Sequence, residues 1–309
     1  VATNYRVACS ALMKYWLTPA LISAVIKPAV PTKAAILGAF FMAPFFVPAT
    51  TATHGGKAEI AVIAVVRLIL LVLFFIISTL AGLAICLVRP FHPNNVYIFS
   101  HWYGWVSRIF GISVEVRRHS AIDPTKPYVY IANHQNNLDL FTISNGVQPR
   151  TVTIGKKSLK FIPFFGQLYW LSGNILIDRN NKSKALSTML AAAEKIRRDN
   201  LSVWMFPEGT RSYGRGLLPF KMGAFHIALE ANVPVVPVCM SSTHGQFKLN
   251  RWNNGKVIVQ LMAPIELPKE QLNIRDFAQN VHQQMQAQIA LLDSELGNDY
   301  TASNIKAKE

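Results

Sequence analysis

The stretch LILLVLFFIISTLAGLAICLV, Leu68 to Val88, runs 21 residues without a charge. As a helix it would extend about 30 Å, the thickness of a bilayer's hydrocarbon core. A surface helix needs a polar face, and buried core helices seldom run this long without one. The stretch therefore predicts a membrane-embedded helix, either crossing the bilayer or lying in one leaflet. Lys57 and Arg67 precede it and Arg89 and Arg108 follow it. Counted over about 20 residues on each side, these charges tie and leave the orientation open. The rest of the chain must fold beside lipid.

The next segment supports that placement. In VYIFSHWYGWVSRIFGI (Val96 to Ile112), Ile98, Trp102, Trp105, Ile109 and Ile112 recur at alternating steps of four and three, which predicts one helical face. Its tryptophans, with Tyr97 and Tyr103 nearby, suit the headgroup region; the alternative is an ordinary helix packed on the domain. Residues 1–57 differ in composition. They are rich in Ala, Pro and Thr, hold no Asp or Glu, and contain the apolar run AAILGAFFMAPFFVPA, broken by Pro44 and Pro48. No basic start, apolar stretch and cleavage site line up as in a signal peptide, so 1–57 is read as an extension of unknown role. The expected organisation is this extension, membrane-embedded and interfacial helices over 58–113, a catalytic domain over 114–296 and a polar tail over 297–309.

Lys and Arg outnumber Asp and Glu by 31 to 16, a net charge of +15. That favours an anionic partner: nucleic acid, an anionic lipid surface, or a phosphorylated or CoA-like substrate. No nucleic-acid motif is present. Cys9, Cys86 and Cys239 stand far apart with no CxxC spacing, which argues against a disulfide framework or a zinc site.

From Tyr128 onward, short apolar runs alternate with helical periodicity. YVYIA, TVTI, NILID, LSVWMF, VVPVCM and KVIVQLM read as strands. A helix from about Leu138, Ser183–Arg198 (with Leu186, Met189, Leu190 and Ala193 on one face), Gly223–Ala231 and Phe277–Leu292 read as helices. This alternation predicts an α/β fold, a mostly parallel central sheet flanked by helices. Ligands of such sheets gather beyond the carboxyl ends of the strands. Four polar groups stand there: Asn133, His134 and Asp139 after YVYIA; Lys156 and Lys157 after TVTIG; Arg179 after NILID; and Glu208, Gly209, Thr210 and Arg211 after VWMFP.

His134 and Asp139 are five residues apart. On one α-helix that spacing would turn them about 140° away from each other. They meet only if His134 lies in the loop and Asp139 in the first helical turn, with Asn136 or Asn137 as N-cap. Asp139 would then fix the imidazole tautomer and leave the other nitrogen as a base. No serine or cysteine nucleophile stands beside them, so such a pair suits deprotonation of an incoming alcohol. On spacing alone the other reading is the favoured one: a capping aspartate and an unrelated loop histidine. Likewise FPEGTRS offers a glycine for close approach, a hydroxyl and a guanidinium suited to phosphate, or simply a charged turn. Lys156, Lys157 and Arg179 fit either a phosphate site or a solvated surface.

Taken in order, NHQNNLD, GNILIDR, FPEGTRS and VPVVPV, joined by IGKKSLKFIPFFGQLYWLSGN and followed by RGLLPFKMGAFH, resemble the PlsC-type glycerolipid acyltransferases, above all their bacterial branch that acts on 1-acyl-sn-glycerol-3-phosphate. The resemblance covers about Arg67 to Leu296. It implies a glycerol-3-phosphate acyltransferase-like fold. It implies transfer of an acyl chain from acyl-CoA or acyl-carrier protein to the sn-2 hydroxyl of lysophosphatidic acid, forming phosphatidic acid without an acyl-enzyme. His134 would be the general base and Asp139 its orienting partner. Arg211, with Lys156 or Lys157 and Arg179, would bind the glycerol phosphate. Glu208 and Thr210 would line that pocket, Gly209 would admit close backbone approach, and Pro237 would shape a wall. Lys221 is a further anion-binding candidate. No metal or cofactor is implied beyond the acyl donor. The partners implied are lysophosphatidic acid, the acyl thioester and the lipid bilayer, with no nucleic acid. The location implied is the inner, cytoplasmic membrane with the catalytic domain on the cytoplasmic side. Alternatives on the same residues are another lyso-lipid or glycerol-3-phosphate acceptor, or a membrane-bound thioesterase.

Overall fold

The computed structural model describes residues 54–178, 182–267 and 273–297. The extension as far as residue 53, Arg179 and the tail from residue 298 lie outside the described residues.

The described strands are β1 (Ile112–Arg118), β2 (Val129–Ala132), β3 (Thr151–Lys156), β4 (Ile175–Ile177), β5 (Ser202–Met205), β6 (Val235–Met240) and β7 (Gly255–Leu261). They form one sheet in the order β1-β7-β6-β2-β5-β3-β4. Every neighbouring pair is parallel except β6–β7. The central strands β2 (VYIA) and β6 (VVPVCM) are buried at every position, as continuous apolar runs covered on both faces should be. Alternate β2 residues serve opposite cores. Val129 and Ile131 pack with α4 (Lys182–Asp199), α5 (Gly223–Ala231) and α6 (Ile274–Glu295), while Tyr130 and Ala132 face the other way.

Pro237 sits inside β6, where a missing N–H normally breaks a ladder. Pairing to the β7 side is interrupted there, between Val235↔Ile265 and Val238↔Leu261. The proline carbonyl still accepts from Met262 N at 2.9 Å.

Strand β1 was not anticipated. The helical spacing read through to Ile112 stops short: α2 covers Asn95–Trp105, a 3₁₀ turn covers Val106–Arg108, and Ile112 opens β1. Gly111 explains the break. Its φ is +68°, and a Cβ there would collide with the Trp252 carbonyl. The buried face of α2 is also shifted, to Val96, Phe99 and Tyr103, continuing to Val106; Trp105 is exposed and Ile98 and Trp102 are half-buried. Two further local expectations change. The helix expected from Leu138 is a pair of 3₁₀ turns, Asn137–Leu140 and Ile143–Gly146. Among the described side chains of α4 the buried ones are Ala192, Ala193 and Ile196, with Met189 packed against them, and Leu190 faces solvent; the Leu186 side chain lies outside the described ones.

The apolar run lies within α1, His54–Val88, a 35-residue helix. Its inward residues form one stripe: Arg67, Leu71, Phe74, Phe75, Ser78, Gly82, Leu83 and Cys86. These recur near the 3.6-residue period, so from residue 67 to 86 a single side of the helix lies against the domain. At the first end Arg67 donates to the carbonyls of Lys248, Leu249, Arg251 and Trp252. At the other, a Cβ on Gly82 would sit 2.9 Å from Leu168 of α3 (Phe165–Leu171). The remaining circumference, including Ile69, Leu73, Ile76, Ile77 and Leu80, is apolar and exposed. Only 17% of its most apolar window is buried. A soluble core helix would show the reverse.

Candidate active site

The loop after β2 is built by alternation. Asn133 and Gln135 point towards β6 and His134 points away. Asn133 Nδ2 donates to Met240 O at 2.9 Å and its Oδ1 accepts from Met240 N at 2.8 Å. Gln135 Nε2 donates to Met240 O and Ser241 O, and its Oε1 accepts from Thr243 N and Oγ1. Both amides are buried. They tie an extended loop to the end of β6 on one side and leave the imidazole free on the other.

Asp139 then closes on His134. Asn136 caps the 3₁₀ turn, its Oδ1 accepting from Leu138 N at 2.8 Å, and Asp139 is the third residue of that turn. Asp139 Oδ2 accepts from His134 Nδ1 at 2.6 Å, from Gln135 N at 2.6 Å and from Asn136 N at 3.1 Å. An aspartate carboxylate can only accept, so Nδ1 carries the proton and the lone pair falls on Nε2. No described residue hydrogen-bonds Nε2, and the side chain is 20% exposed. Phe206 stacks on the imidazole, with ring centroids 4.1 Å apart and planes at 18°. The His–Asp contact has the geometry that spacing alone could not choose.

The FPEGTRS segment is zipped to this loop. Ser212 N donates to His134 O at 2.8 Å and Tyr213 N to Gln135 O at 2.9 Å. Glu208 is buried, and both its oxygens are engaged: Oε1 accepts from His134 N at 2.6 Å and Oε2 from Leu218 N at 3.0 Å. Burial pushes its carboxyl above the usual range, against the pull of these two amides. Glu208 is therefore a brace between loops. Gly209 has φ +70°, and a Cβ there would stand 2.6 Å from Lys221 Nζ, so the lysine lies directly across the glycine.

The remaining candidates spread along the same end of the sheet. Lys156 closes β3, next to β5, and is exposed. Lys157 is half-exposed and 3.5 Å from Asp178 Oδ2. Thr210 is exposed. Arg211 is half-buried. Its Nη1 reaches Tyr213 Oη at 3.3 Å, while its buried Nε has no partner among the described residues. That arrangement can accept an anion. Gln135 and Ser212 were missed from sequence. The signal was there in the loop itself, where period-2 alternation beside His134 predicts that the flanking residues face inward.

A strand-end His–Asp pair whose second imidazole nitrogen has no partner among the described residues is an arrangement that can take a proton from an incoming group. A sequence profile for the family described as Acyltransferase matches residues 113–241. The chain is 51% identical over 222 residues to a 1-acyl-sn-glycerol-3-phosphate acyltransferase of Haemophilus influenzae, covering 72% of this chain and 92% of that one. It is 47% identical over 235 residues to the protein of the same description from Escherichia coli K12, covering 75% and 95%. The crystal structure of the 1-acyl-sn-glycerophosphate (LPA) acyltransferase PlsC from Thermotoga maritima superposes with a TM-score of 0.58 at 24% identity, covering 74% of this chain and 97% of that one; this likeness concerns the fold. The chain belongs to the PlsC-type glycerolipid acyltransferase family, with bacterial 1-acyl-sn-glycerol-3-phosphate acyltransferases among its relatives.

Proposed function

We propose that this enzyme acylates the sn-2 hydroxyl of 1-acyl-sn-glycerol-3-phosphate with the acyl group of acyl-CoA or acyl-carrier protein. The observation that carries the mechanism is the 2.6 Å contact from His134 Nδ1 to Asp139 Oδ2, with no partner for Nε2 among the described residues. Nε2 takes the hydroxyl proton as the oxygen attacks the thioester carbonyl. The tetrahedral intermediate collapses, the C–S bond breaks, and the imidazolium returns the proton to the leaving thiolate. Ester and thiol form with no acyl-enzyme, metal or cofactor. A positioned base of this kind contributes about 10²–10⁴-fold. Arg211, Lys156 or Lys157 and, outside the described residues, Arg179 hold the substrate phosphate, and Lys221 adds charge beside Gly209.

Helix α1 supports a placement at the membrane. Its protein-bound stripe runs from Arg67 to Cys86, about 28 Å of helix. Crossing the bilayer would carry the attached domain surface into hydrocarbon with it. On this reading the helix lies in one leaflet, and the catalytic domain is assigned to the cytoplasmic side because acyl thioesters are available there.

The test is an assay of the purified protein in detergent with lysophosphatidate and matched acyl-CoA and acyl-carrier-protein donors. Thiol release should require the acceptor, and His134→Ala should abolish it. Turnover only with another lyso-lipid would overturn the acceptor assignment. Acceptor-independent thiol release would identify a thioesterase.

A further inference from the structure

The segment following β3 is a tight structure that exposes two phenylalanines. Phe161 is 73% and Phe164 is 62% exposed. The loop is not slack. A 3₁₀ turn covers Lys157–Phe161, Ile162 N donates to Leu159 O at 3.1 Å, Phe165 N to Pro163 O at 2.7 Å and Gly166 N to Ile162 O at 2.8 Å. Phe164 itself is held at φ +62°, a conformation that bulky side chains rarely adopt. A rigid turn thus spends backbone strain to hold two large apolar rings outward, which water does not reward.

Two observations identify what covers them. The loop leads into α3, whose Leu168 and Leu171 pack in one cluster with Cys86 and Leu83 of α1. The loop is therefore the chain segment that enters a helix packed directly on α1. Lysines also flank the rings: Lys156 and Lys157 are exposed, and Lys160 Nζ lies 4.8 Å from the Phe161 ring centroid. Exposed aromatic rings bordered by lysines, leading into a helix that packs on the apolar α1, match the interface of an anionic bilayer.

We propose that the Lys156–Phe164 segment is a second membrane-contact element, in which Phe161 and Phe164 enter the interface and Lys160 beside them meets anionic headgroups. Lys156 ends β3, on the edge of the sheet where His134 stands. The segment then presents membrane-resident acceptor to the site without its release into water. That last step rests on the acyltransferase reading; the membrane contact does not.

Two experiments on the full chain test this. In a Cys9→Ser background, Phe161→Cys and Phe164→Cys are labelled singly with bimane, and Gln283→Cys on α6, across the sheet, serves as control. Phosphatidylethanolamine–phosphatidylglycerol vesicles with brominated acyl chains should blue-shift and quench labels at 161 and 164 about threefold more than at 283. Equal quenching at all three, or none, overturns the proposal. A shift that needs an acidic acyl-carrier protein instead assigns the loop to protein docking and also overturns it. In the second experiment the pair Phe161→Ser/Phe164→Ser should lose about tenfold of turnover on vesicle-presented long-chain lysophosphatidate, keep turnover on a water-soluble short-chain form, and be rescued by Phe161→Trp/Phe164→Trp. Equal loss on both substrates would mark a structural role and overturn it. Absence of turnover by the unaltered enzyme would sink the acyltransferase reading alone, since the quenching result needs no activity.

Discussion

The backbone N–H of His134 donates to the carboxylate of Glu208 at 2.6 Å. Residues from two sequence motifs, 74 positions apart, are thereby locked into one unit, and the glutamate's other oxygen holds Leu218 N. Glutamine at this position would turn an NH₂ group towards one of two backbone N–H donors. Glu208→Gln should lower stability by about 1–3 kcal/mol and reduce kcat, with thermal unfolding and steady-state assays as the readouts. Glu208→Ala should lose at least as much.

The same carboxyl sets a pH dependence. Its folded-state pKa is raised, chiefly by burial. Between the ordinary glutamate value and the raised one, the unfolded chain has released this proton and the folded chain still holds it. Glu208 thus makes stability fall as pH rises through that window and leaves it level above. Denaturant titrations across the window should show this slope in the native protein and its loss in Glu208→Gln. An unchanged slope would refute the assignment.

Asp139 uses its oxygens unequally. Oδ2 takes all three donors, and buried Oδ1 has no partner among the described residues. Asparagine can therefore keep its carbonyl on those donors and turn its NH₂ towards the empty side. Asp139→Asn should stay folded with a melting temperature near the native one, yet lose about 10²-fold or more in kcat because the imidazolium is no longer charge-stabilised. Asp139→Ala should lose stability as well, since three donors lose their acceptor.

Gly209→Ala meets two obstacles at once: φ of +70° and a Cβ 2.6 Å from Lys221 Nζ. The conformation costs about 1–2 kcal/mol, and the lysine must move. KM for lysophosphatidate should rise more than kcat falls. Lys221→Ala in the same background should relieve the crowding and recover part of the stability, measured by thermal melts of the pair.

Arg67 is 4% exposed and donates to several carbonyls of the 248–252 segment. Arg67→Met keeps the apolar stem but takes the arginine's donors from the Leu249 and Trp252 carbonyls, while those of Lys248 and Arg251 keep Asn254 Nδ2. A loss of about 2–3 kcal/mol is expected, along with faster proteolysis near residue 250. Vesicle binding should hold, because the exposed face of α1 is untouched.

The legible parts of the fold were those written in local pattern. The continuous apolar runs of β2 and β6 announced buried strands, and the residues after them marked the site edge. The asparagine cap and the five-residue gap showed how His134 and Asp139 could meet, but not that they do; the 2.6 Å contact chooses between the two readings. Strand β1 was hidden because Ile109 and Ile112 extend a helical spacing across Gly111, and only the Trp252 carbonyl pressed against that glycine ends it. The role of Glu208 was hidden for a different reason. A Glu–Gly–Thr–Arg turn looks like a solvent-facing ligand set, and the two amides that occupy the glutamate come from segments distant in sequence or beyond the turn.

The stripe that fastens α1 to the domain has a consequence for how this enzyme fits its surroundings. A crossing helix must match its length to bilayer thickness and tilts or strains when the two differ. A helix held side-on presents its width, about 10 Å, and so sets its immersion without reference to the opposite leaflet. On the proposed placement, lipid thickness and acyl-chain composition can drift as the enzyme's own products accumulate. Its depth and roll stay fixed, because Arg67 and Gly82 tie the helix to the domain rather than to the far side of the membrane.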